Sequence, residues 1–366
     1  FKGKEYNISF NNIKSLNISR INIDSVNNTF INIKNISNII VENLVGINSK
    51  SSTNAGIIDI EGIKSDIKLN SNIELVSNLA NNGLGGAIFV FLKGESSFSI
   101  GEKATKSSIV IANNGAKSGG AFYVGSTVKG NHKITTSSSN NNLNFIEYNS
   151  ATYGGAFYFD NINAGISNLT ISNNFANEGG GIYLAGNSNL DISNIKIISN
   201  VFNTNETGFF YNKNQALGGG IFISPESYLT INDDVSIENN LMYWGGGIFN
   251  DVNIDNPCRI NNNGNNFSMK GNKNYNIYIV GNSESIKNTT EYDSIKDIDN
   301  LQIESIDVGI KFSNNTNGRF FTYPIKGNTK YDNHNDRLSY LFNDYINNEL
   351  DMYEKDIEYG TKSSVK

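Results

Sequence analysis

The feature that most constrains this chain is a glycine-rich motif that recurs six times. Each copy reads Gly-Gly-Ala or Gly-Gly-Gly and is followed at once by an apolar run such as Phe157-Tyr158-Phe159. The first glycines are Gly85, Gly119, Gly154, Gly179, Gly218 and Gly245, so successive copies lie 34, 35, 25, 39 and 27 residues apart. An internal period of roughly 20 to 50 residues is typical of solenoids, whose repeats bury their apolar faces only by stacking on one another.

A second element precedes each glycine pair. Apolar residues such as Leu169 and Ile171 alternate with polar ones, and an asparagine follows three residues later. These asparagines are Asn78, Asn114, Asn149, Asn174, Asn200 and Asn240. Alternation with period two predicts strands. Asparagine tolerates left-handed backbone, and stacked amides can hydrogen-bond as a ladder, so we expect the six asparagines to form one corner column.

Together the two elements predict an all-β fold, a parallel β-helix whose coils pair about 4.8 Å apart. Glycine suits its other corner, because it has no Cβ atom to collide with the next coil. The alternative is a β-sandwich with glycine-rich hairpins, which does not require repetition in register.

The combination of the two elements resembles the repeat of the chlamydial polymorphic outer-membrane proteins and of related adhesin-like surface proteins. The match is clearest at Ile146 to Tyr158, Ile171 to Tyr183 and Ile237 to Phe249, and it covers roughly residues 70 to 280. The resemblance implies a right-handed parallel β-helix that is extracellular, at the cell surface, and is adhesin-like or a structural passenger.

We expect one continuous solenoid domain in three parts. Residues 1–84 form β-helix coils without glycine pairs, 85–280 form the glycine-pair repeats, and 281–366 form irregular terminal coils with a cap. An extra loop is predicted from Val201 to Leu217. A short helix is predicted from Asp336 to Tyr353, because apolar residues fall on one helical face. They are Leu338, Leu341, Phe342, Tyr345 and Ile346.

The composition excludes some function classes. A net charge of −6 opposes nucleic-acid binding, which needs clustered cations. No apolar run approaches the 18 residues of a membrane span. The single cysteine, Cys258, cannot form an intrachain disulfide. Because the chain opens on Phe1 and not Met, we expect that an export signal was removed or that the sequence is an excised region.

The sequence contains few patterns typical of catalytic or metal-binding sites. Asp233 and Asp234 are adjacent and would point to opposite faces of a strand, and His132 and His334 are far apart in polar surroundings. Asp251 to Asp255 has the alternating oxygen donors of a calcium loop, but it lacks the turn glycine and closing glutamate of an EF-hand. We therefore expect no cofactor, with calcium as the weak alternative.

The strand after each glycine pair carries an aromatic residue at the same place. The column comprises Phe89, Tyr123, Tyr158, Tyr183, Phe222 and Phe249, and Tyr153 and Trp244 stand immediately before their glycine pairs. Three hydroxyls in the column indicate that ring edges reach water or polar partners. This aromatic strip is the predicted binding surface for a glycan or partner protein on a host or neighbouring cell, or for self-association. A polysaccharide-processing lyase or glycoside hydrolase is the alternative to a non-catalytic adhesin.

Overall fold

The computed structural model describes residues 1–2, 6–101, 109–127, 133–136, 144–202, 216–232, 234–242, 245–251, 259–262, 267–270, 272, 277–281, 307–312 and 320–324. Every regular element within these ranges is a β-strand, so the described part of the chain is all-β. The helix predicted for 336–353 and most of the predicted 201–217 loop lie outside it. Nothing in the described ranges forms a helix long and apolar enough to cross a membrane.

The described strands are short, and most have two to six residues. In chain order they are β1 (Ile8–Asn11), β2 (Ser15–Asp24), β3 (Ile31–Lys34), β4 (Asn38–Ile47), β5 (Lys50–Ser51), β6 (Ile58–Ile63), β7 (Asp66–Leu69), β8 (Ile73–Val76), β9 (Leu79–Ala80), β10 (Ile88–Lys93), β11 (Ser97–Ile100), β12 (Ile109–Ala112), β13 (Phe122–Ser126), β14 (Lys133–Thr136), β15 (Asn144–Glu147), β16 (Phe157–Asp160), β17 (Asn163–Ser172), β18 (Phe175–Ala176), β19 (Ile182–Ala185), β20 (Asn189–Ile198), β21 (Val201–Phe202), β22 (Ile221–Ile223), β23 (Tyr228–Ile231), β24 (Val235–Glu238), β25 (Ile248–Asp251), β26 (Arg259–Asn262), β27 (Phe267–Lys270), β28 (Ile277–Gly281), β29 (Asp307–Phe312) and β30 (Phe320–Pro324).

Two large sheets contain nearly all of these strands. One has 12 strands in the order β1-β3-β6-β10-β13-β16-β19-β22-β25-β28-β29-β30, and we call it the glycine sheet because the glycine pairs directly precede its central strands. Its neighbours are parallel, except that β29 and β30 are antiparallel. Each strand pairs with the equivalent strand one repeat later, so Phe122 lies between Ile88 and Phe157. We call each such repeat a layer.

The other large sheet has 14 strands and two halves. The ten-residue strands β2, β4, β17 and β20 run from one half into the other. Each contains one left-handed residue, at Arg20, Asn43, Asn168 and Asn194, with φ of 58°, 51°, 56° and 45°. The chain turns there without losing its inward apolar side. In β17, for example, Ala164 and Ile166 are buried before the turn, and Leu169 and Ile171 after it.

The inward side chains of both sheets meet in one continuous core. The glycine sheet contributes a column of aliphatic and phenylalanine residues that are at most 1% exposed. They are Ile88, Phe122, Phe157, Ile182, Ile221 and Ile248. Phe122 and Phe157 stack within this column with ring centroids 5.0 Å apart. Burial of each such side chain stabilises the fold by about 1.5–3 kcal/mol, which makes this column a main source of its stability.

The two glycines of each pair are required for different reasons. The first has a left-handed backbone in all six layers, with φ between 62° and 69°. The second lies against the next layer, where a Cβ atom on Gly120 or Gly155 would collide with the carbonyl oxygen of Gly155 or Gly180. An additional layer without a glycine pair, at Ala55-Gly56, follows the same rule. Ala55 has φ of 52°, and a Cβ on Gly56 would lie 2.5 Å from the oxygen of Gly86.

The six asparagines predicted to share a corner form a continuous hydrogen-bonded ladder, and each is at most 1% exposed. Asn174 illustrates the pattern. Its Nδ2 donates to the carbonyl of Ile146 at 2.9 Å and to Oδ1 of Asn200 at 3.0 Å. Its Oδ1 accepts from the backbone N–H and from Nδ2 of Asn149, at 2.9 and 3.0 Å. Each of the six ladder amides is therefore paired across layers.

The ladder is longer than the sequence pattern indicated. Asn240 donates to Asn272 at 2.9 Å, and Ser49 donates its N–H to Asn78 at 3.1 Å. One expectation about this corner was wrong: the ladder asparagines do not carry the left-handed backbone. The residue before each one does, at Ser77, Asn113, Tyr148, Asn173, Ser199 and Asn239, with φ of 54° to 59°. The amides are selected for hydrogen bonding and the preceding residues for the turn.

Tyr148 is unusual among these turn residues, because it is aromatic, has φ of 55° and is 47% exposed. The left-handed backbone disfavours a bulky side chain, whereas asparagine, present in three equivalent positions, tolerates it. We expect Tyr148→Asn to stabilise the fold by about 0.5–1 kcal/mol. Chemical denaturation measures this. A loss of stability would show that the Tyr148 ring makes a contact worth more than the strain.

Candidate binding surface on the outer face of the glycine sheet

The six predicted aromatic residues lie in one column on the outer face of the glycine sheet, and we call it the aromatic ladder. From Phe89 through Tyr123, Tyr158, Tyr183 and Phe222 to Phe249, the ring centroids are 5.2, 5.3, 4.9, 4.5 and 5.2 Å apart. Neighbouring ring planes lie within 18° of parallel. The stack follows from the strand register, because equivalent residues in paired parallel strands lie about 4.8 Å apart.

Stacking determines which part of each ring can meet a ligand. Both faces of every inner ring contact the neighbouring rings, so a ligand can contact only the ring edges and the phenol oxygens. Phe89 and Tyr123 are 6% exposed, and Phe222 and Phe249 are 4% exposed. Four of the six rings are thus part of the scaffold in this structure. Only Tyr158 and Tyr183 are half-buried and reach the surface.

Carboxylates lie along both edges of the ladder. Tyr123 donates its hydroxyl to Oδ2 of Asp160, in the next layer, at 2.8 Å. On the other edge, Tyr183 donates a hydrogen bond to Glu178. Burial raises the pKa of the Tyr158 phenol to about 12, and the Asp160 carboxylate adds to this. The phenols are therefore neutral hydrogen-bond donors at physiological pH.

Glu178 lies in an environment that disfavours its charge. Burial raises its pKa to about 7, the nearby Asp251 carboxylate adds to this, and the hydrogen bond from Tyr183 opposes it. Burial raises the pKa of Asp251 as well. In the described part of the chain, the groups that shift the pKa of the Glu178 carboxyl are thus a phenol and another acid, and neither is a cation.

Tyr153 covers the edge of the ladder next to Glu178. The two residues form a bridge between neighbouring layers. The ring of Tyr153 meets that of Tyr183 edge to face, with centroids 5.6 Å apart and planes at 69°. Because Tyr158 and Phe222 cover both faces of Tyr183, its edge must point at a face of Tyr153. The opposite face of the half-buried Tyr153 ring then points away from the ladder. Trp244, predicted at an equivalent place, lies outside the described residues.

At the other end of the ladder, a ring and a carboxylate together hold a lysine. Lys93 Nζ lies 5.7 Å from the ring centroid of Phe91 and 3.5 Å from Oε2 of Glu61. Lys34 binds Oε1 of the same glutamate at 3.0 Å. Asp59 lies beside this group. Burial raises its pKa to about 6, Glu61 adds to this, and Lys34 opposes it.

Raised carboxyl pKa values predict that stability falls as pH rises. Glu178 binds its proton more tightly in the folded state than in the unfolded state, so its contribution is lost between the ordinary pKa of 4.5 and about 7. We expect Glu178→Gln to stabilise the protein at pH 8 by about 1–2 kcal/mol, after allowance for solvent screening, and to change little at pH 4. Thermal melting across this range measures it. The matched control is Glu74→Gln at an exposed residue, and equal gains from both variants would contradict the assignment.

Most of the other candidate residues from the sequence lie outside the part of the chain that the structure describes. His132, His334, Asp233 and residues 252–258 of the calcium-loop candidate lie outside the described residues, and Asp234 is exposed at a left-handed turn with φ of 59°. No group of three potential metal ligands occurs among the described residues. Sequence reasoning missed Asp160 and Glu178, because the neighbouring layers have no carboxylate at these positions. Only the register shows that they flank the tyrosines.

Comparisons with protein-family models, curated proteins and solved structures found no match.

Proposed function

We propose that this chain is a non-catalytic, adhesin-like surface protein that presents an elongated face to a partner protein or glycan. One observation carries the proposal. The half-open cluster of Tyr153, Tyr158 and Tyr183, flanked by Asp160 and Glu178, sits in the middle of a rigid aromatic ladder. Tyrosine offers apolar area and a polar edge at a low entropic cost, which suits recognition.

The scaffold that we propose is a right-handed parallel β-helix. Apart from the antiparallel pair β29–β30, both large sheets pair in parallel, layer by layer, and the chain returns to the glycine sheet once per layer. Connections between parallel strands are right-handed in nearly all proteins, which favours this hand. A scaffold of this kind fixes equivalent side chains at one spacing over many layers, as an extended contact surface requires.

We further propose an extracellular, cell-surface location and a relation to the polymorphic outer-membrane protein repeat. The support is the repeat itself. Its glycine pair and its asparagine have separate structural roles in the same layer, one in close backbone approach and one in the ladder. A sequence that keeps both elements keeps the same corner geometry.

The test is a glycan-array and cell-binding screen of the recombinant chain with two tyrosine variants. We expect the wild type to bind, and Tyr153→Ala to weaken binding at least tenfold. The matched control is Tyr148→Asn, which removes another partly exposed tyrosine on a different part of the surface and should bind as the wild type does. Absence of wild-type binding, or equal binding by both variants, would count against the proposed surface.

A polysaccharide-processing enzyme is the second candidate. It is favoured by the raised pKa of Glu178 near Asp251, since glycoside hydrolases use one protonated and one ionised carboxyl group. Such an enzyme would release reducing ends or unsaturated products from polysaccharides, and Glu178→Gln would abolish their release. Our non-catalytic proposal expects neither protein to release any product.

A further inference from the structure

The outward face of the Tyr153 ring and the Glu178 carboxylate both carry negative charge density. The face of an aromatic ring carries the negative part of its quadrupole, and a carboxylate is an anion. The two residues are paired across adjacent layers. A group that contacts both is therefore attracted most strongly if it is a cation with an apolar stem.

Elsewhere in the chain, a similar pair of a ring and a carboxylate already contacts a lysine side chain. Lys93 lies between the ring of Phe91 and the carboxylate of Glu61, at 5.7 and 3.5 Å. Phe91 stacks on Phe89, the first ring of the aromatic ladder, with centroids 6.1 Å apart. The same outer face of the glycine sheet thus already accommodates a lysine between a ring and a glutamate.

The Tyr153–Glu178 pair differs from it in one respect. The groups that act on the Glu178 carboxyl are the Tyr183 phenol and the negative charge of Asp251, whereas Glu61 binds two lysines. A carboxylate that is repelled by a second negative charge gains more from an incoming cation than one that is already paired. A sugar would use the ring face equally well, but its hydroxyl groups would not relieve the repulsion between the two acids.

We propose that Tyr153 and Glu178 receive a lysine or arginine side chain of a partner protein, in the way that Phe91 and Glu61 receive Lys93. This inference rests on the proposed binding function and names the ligand class for it. The ring face would contact the cation and the apolar stem, while the carboxylate would accept its hydrogen bonds.

The test uses a hexalysine peptide and the same peptide with every side chain acetylated, titrated into the full chain at pH 8 and low salt. We expect hexalysine to bind and the acetylated peptide to bind at least tenfold more weakly. Glu178→Gln and Tyr153→Leu should each weaken hexalysine binding at least fivefold. Tyr153→Phe, which keeps the ring face, should change it less than twofold.

The control for non-specific attraction to an acidic protein is Glu74→Gln, which removes the same charge at an exposed site elsewhere. Equal weakening by Glu74→Gln and Glu178→Gln, or the absence of hexalysine binding, overturns the inference. Binding of a glycan that depends on Tyr153, without lysine binding, overturns the inference and leaves the proposed function standing. Loss of every interaction in the screen would overturn both.

Discussion

Gly155→Ala is expected to destabilise the protein by about 3–5 kcal/mol, one of the largest effects of any single substitution. The new Cβ would collide with the carbonyl oxygen of Gly180 and would lie 2.9 Å from both the backbone nitrogen and the oxygen of Phe175. These atoms are all backbone atoms of paired layers. They cannot rotate away as a side chain could, so the layers would have to separate locally.

The matched control is Gly115→Ala in the preceding layer. Its Cβ would approach the flexible Cδ1 of Leu79 at 3.1 Å and Oγ of Ser150 at 3.5 Å. We expect a change within about 0.5 kcal/mol, measured with Gly155→Ala by chemical denaturation. If the two substitutions had similar effects, the destabilisation would come from replacing a flexible glycine with alanine and not from the collision between layers.

Asn174→Leu is expected to cost about 3–4 kcal/mol, because the substitution removes a fully buried amide that makes four hydrogen bonds. The Asn149 N–H and the Ile146 carbonyl would lose their partners inside the core. Leucine has a similar volume, so the cost reports the lost polar pairing and not a cavity.

Two further variants distinguish the stability that comes from the hydrogen bonds of the asparagine ladder from the stability that depends on the left-handed turn. Asn173→Ser changes the neighbouring left-handed residue to the type found at Ser77 and Ser199. We expect it to change the free energy of unfolding by less than about 0.5 kcal/mol. Asn174→Ser keeps one hydrogen-bond acceptor on a short side chain, just as Oγ of Ser49 accepts from the Val26 N–H at 3.3 Å. Its loss of stability should lie between those of Asn173→Ser and Asn174→Leu. A small effect of Asn174→Leu in chemical denaturation would mean that water replaces the amide.

The sequence predicted the parallel strands, the aromatic column and the six ladder asparagines because each position recurs at a constant offset in successive layers. The offset is visible along the chain, and register then places equivalent residues together. The left-handed residue escaped this reasoning, because serine, asparagine and tyrosine all occupy it. The ends of the ladder escaped too, since Ser49 and Asn272 lie in layers without a glycine pair.

The candidate site could be predicted only in part, for a related reason. The aromatic column was evident as a repeat, but its exposure depends on how the rings orient, and the alternation pattern carries no information on that. Asp160 and Glu178 occupy positions where other layers have Gly125 and Ser118, so no periodicity marks them. Their proximity to Tyr123 and Tyr183 arises from contacts between different layers.

The asparagine ladder also has a direction. From Asn78 to Asn272, every Nδ2 donates to the Oδ1 of the next layer, so the amide dipoles point the same way along the stack. Aligned hydrogen bonds polarise one another, and each strengthens its neighbours on both sides. An interruption at a central rung therefore divides one long polarised row into two short ones, whereas the same change at a terminal rung shortens it by one. Tolerance to substitution should accordingly increase from the middle of the asparagine ladder toward either end.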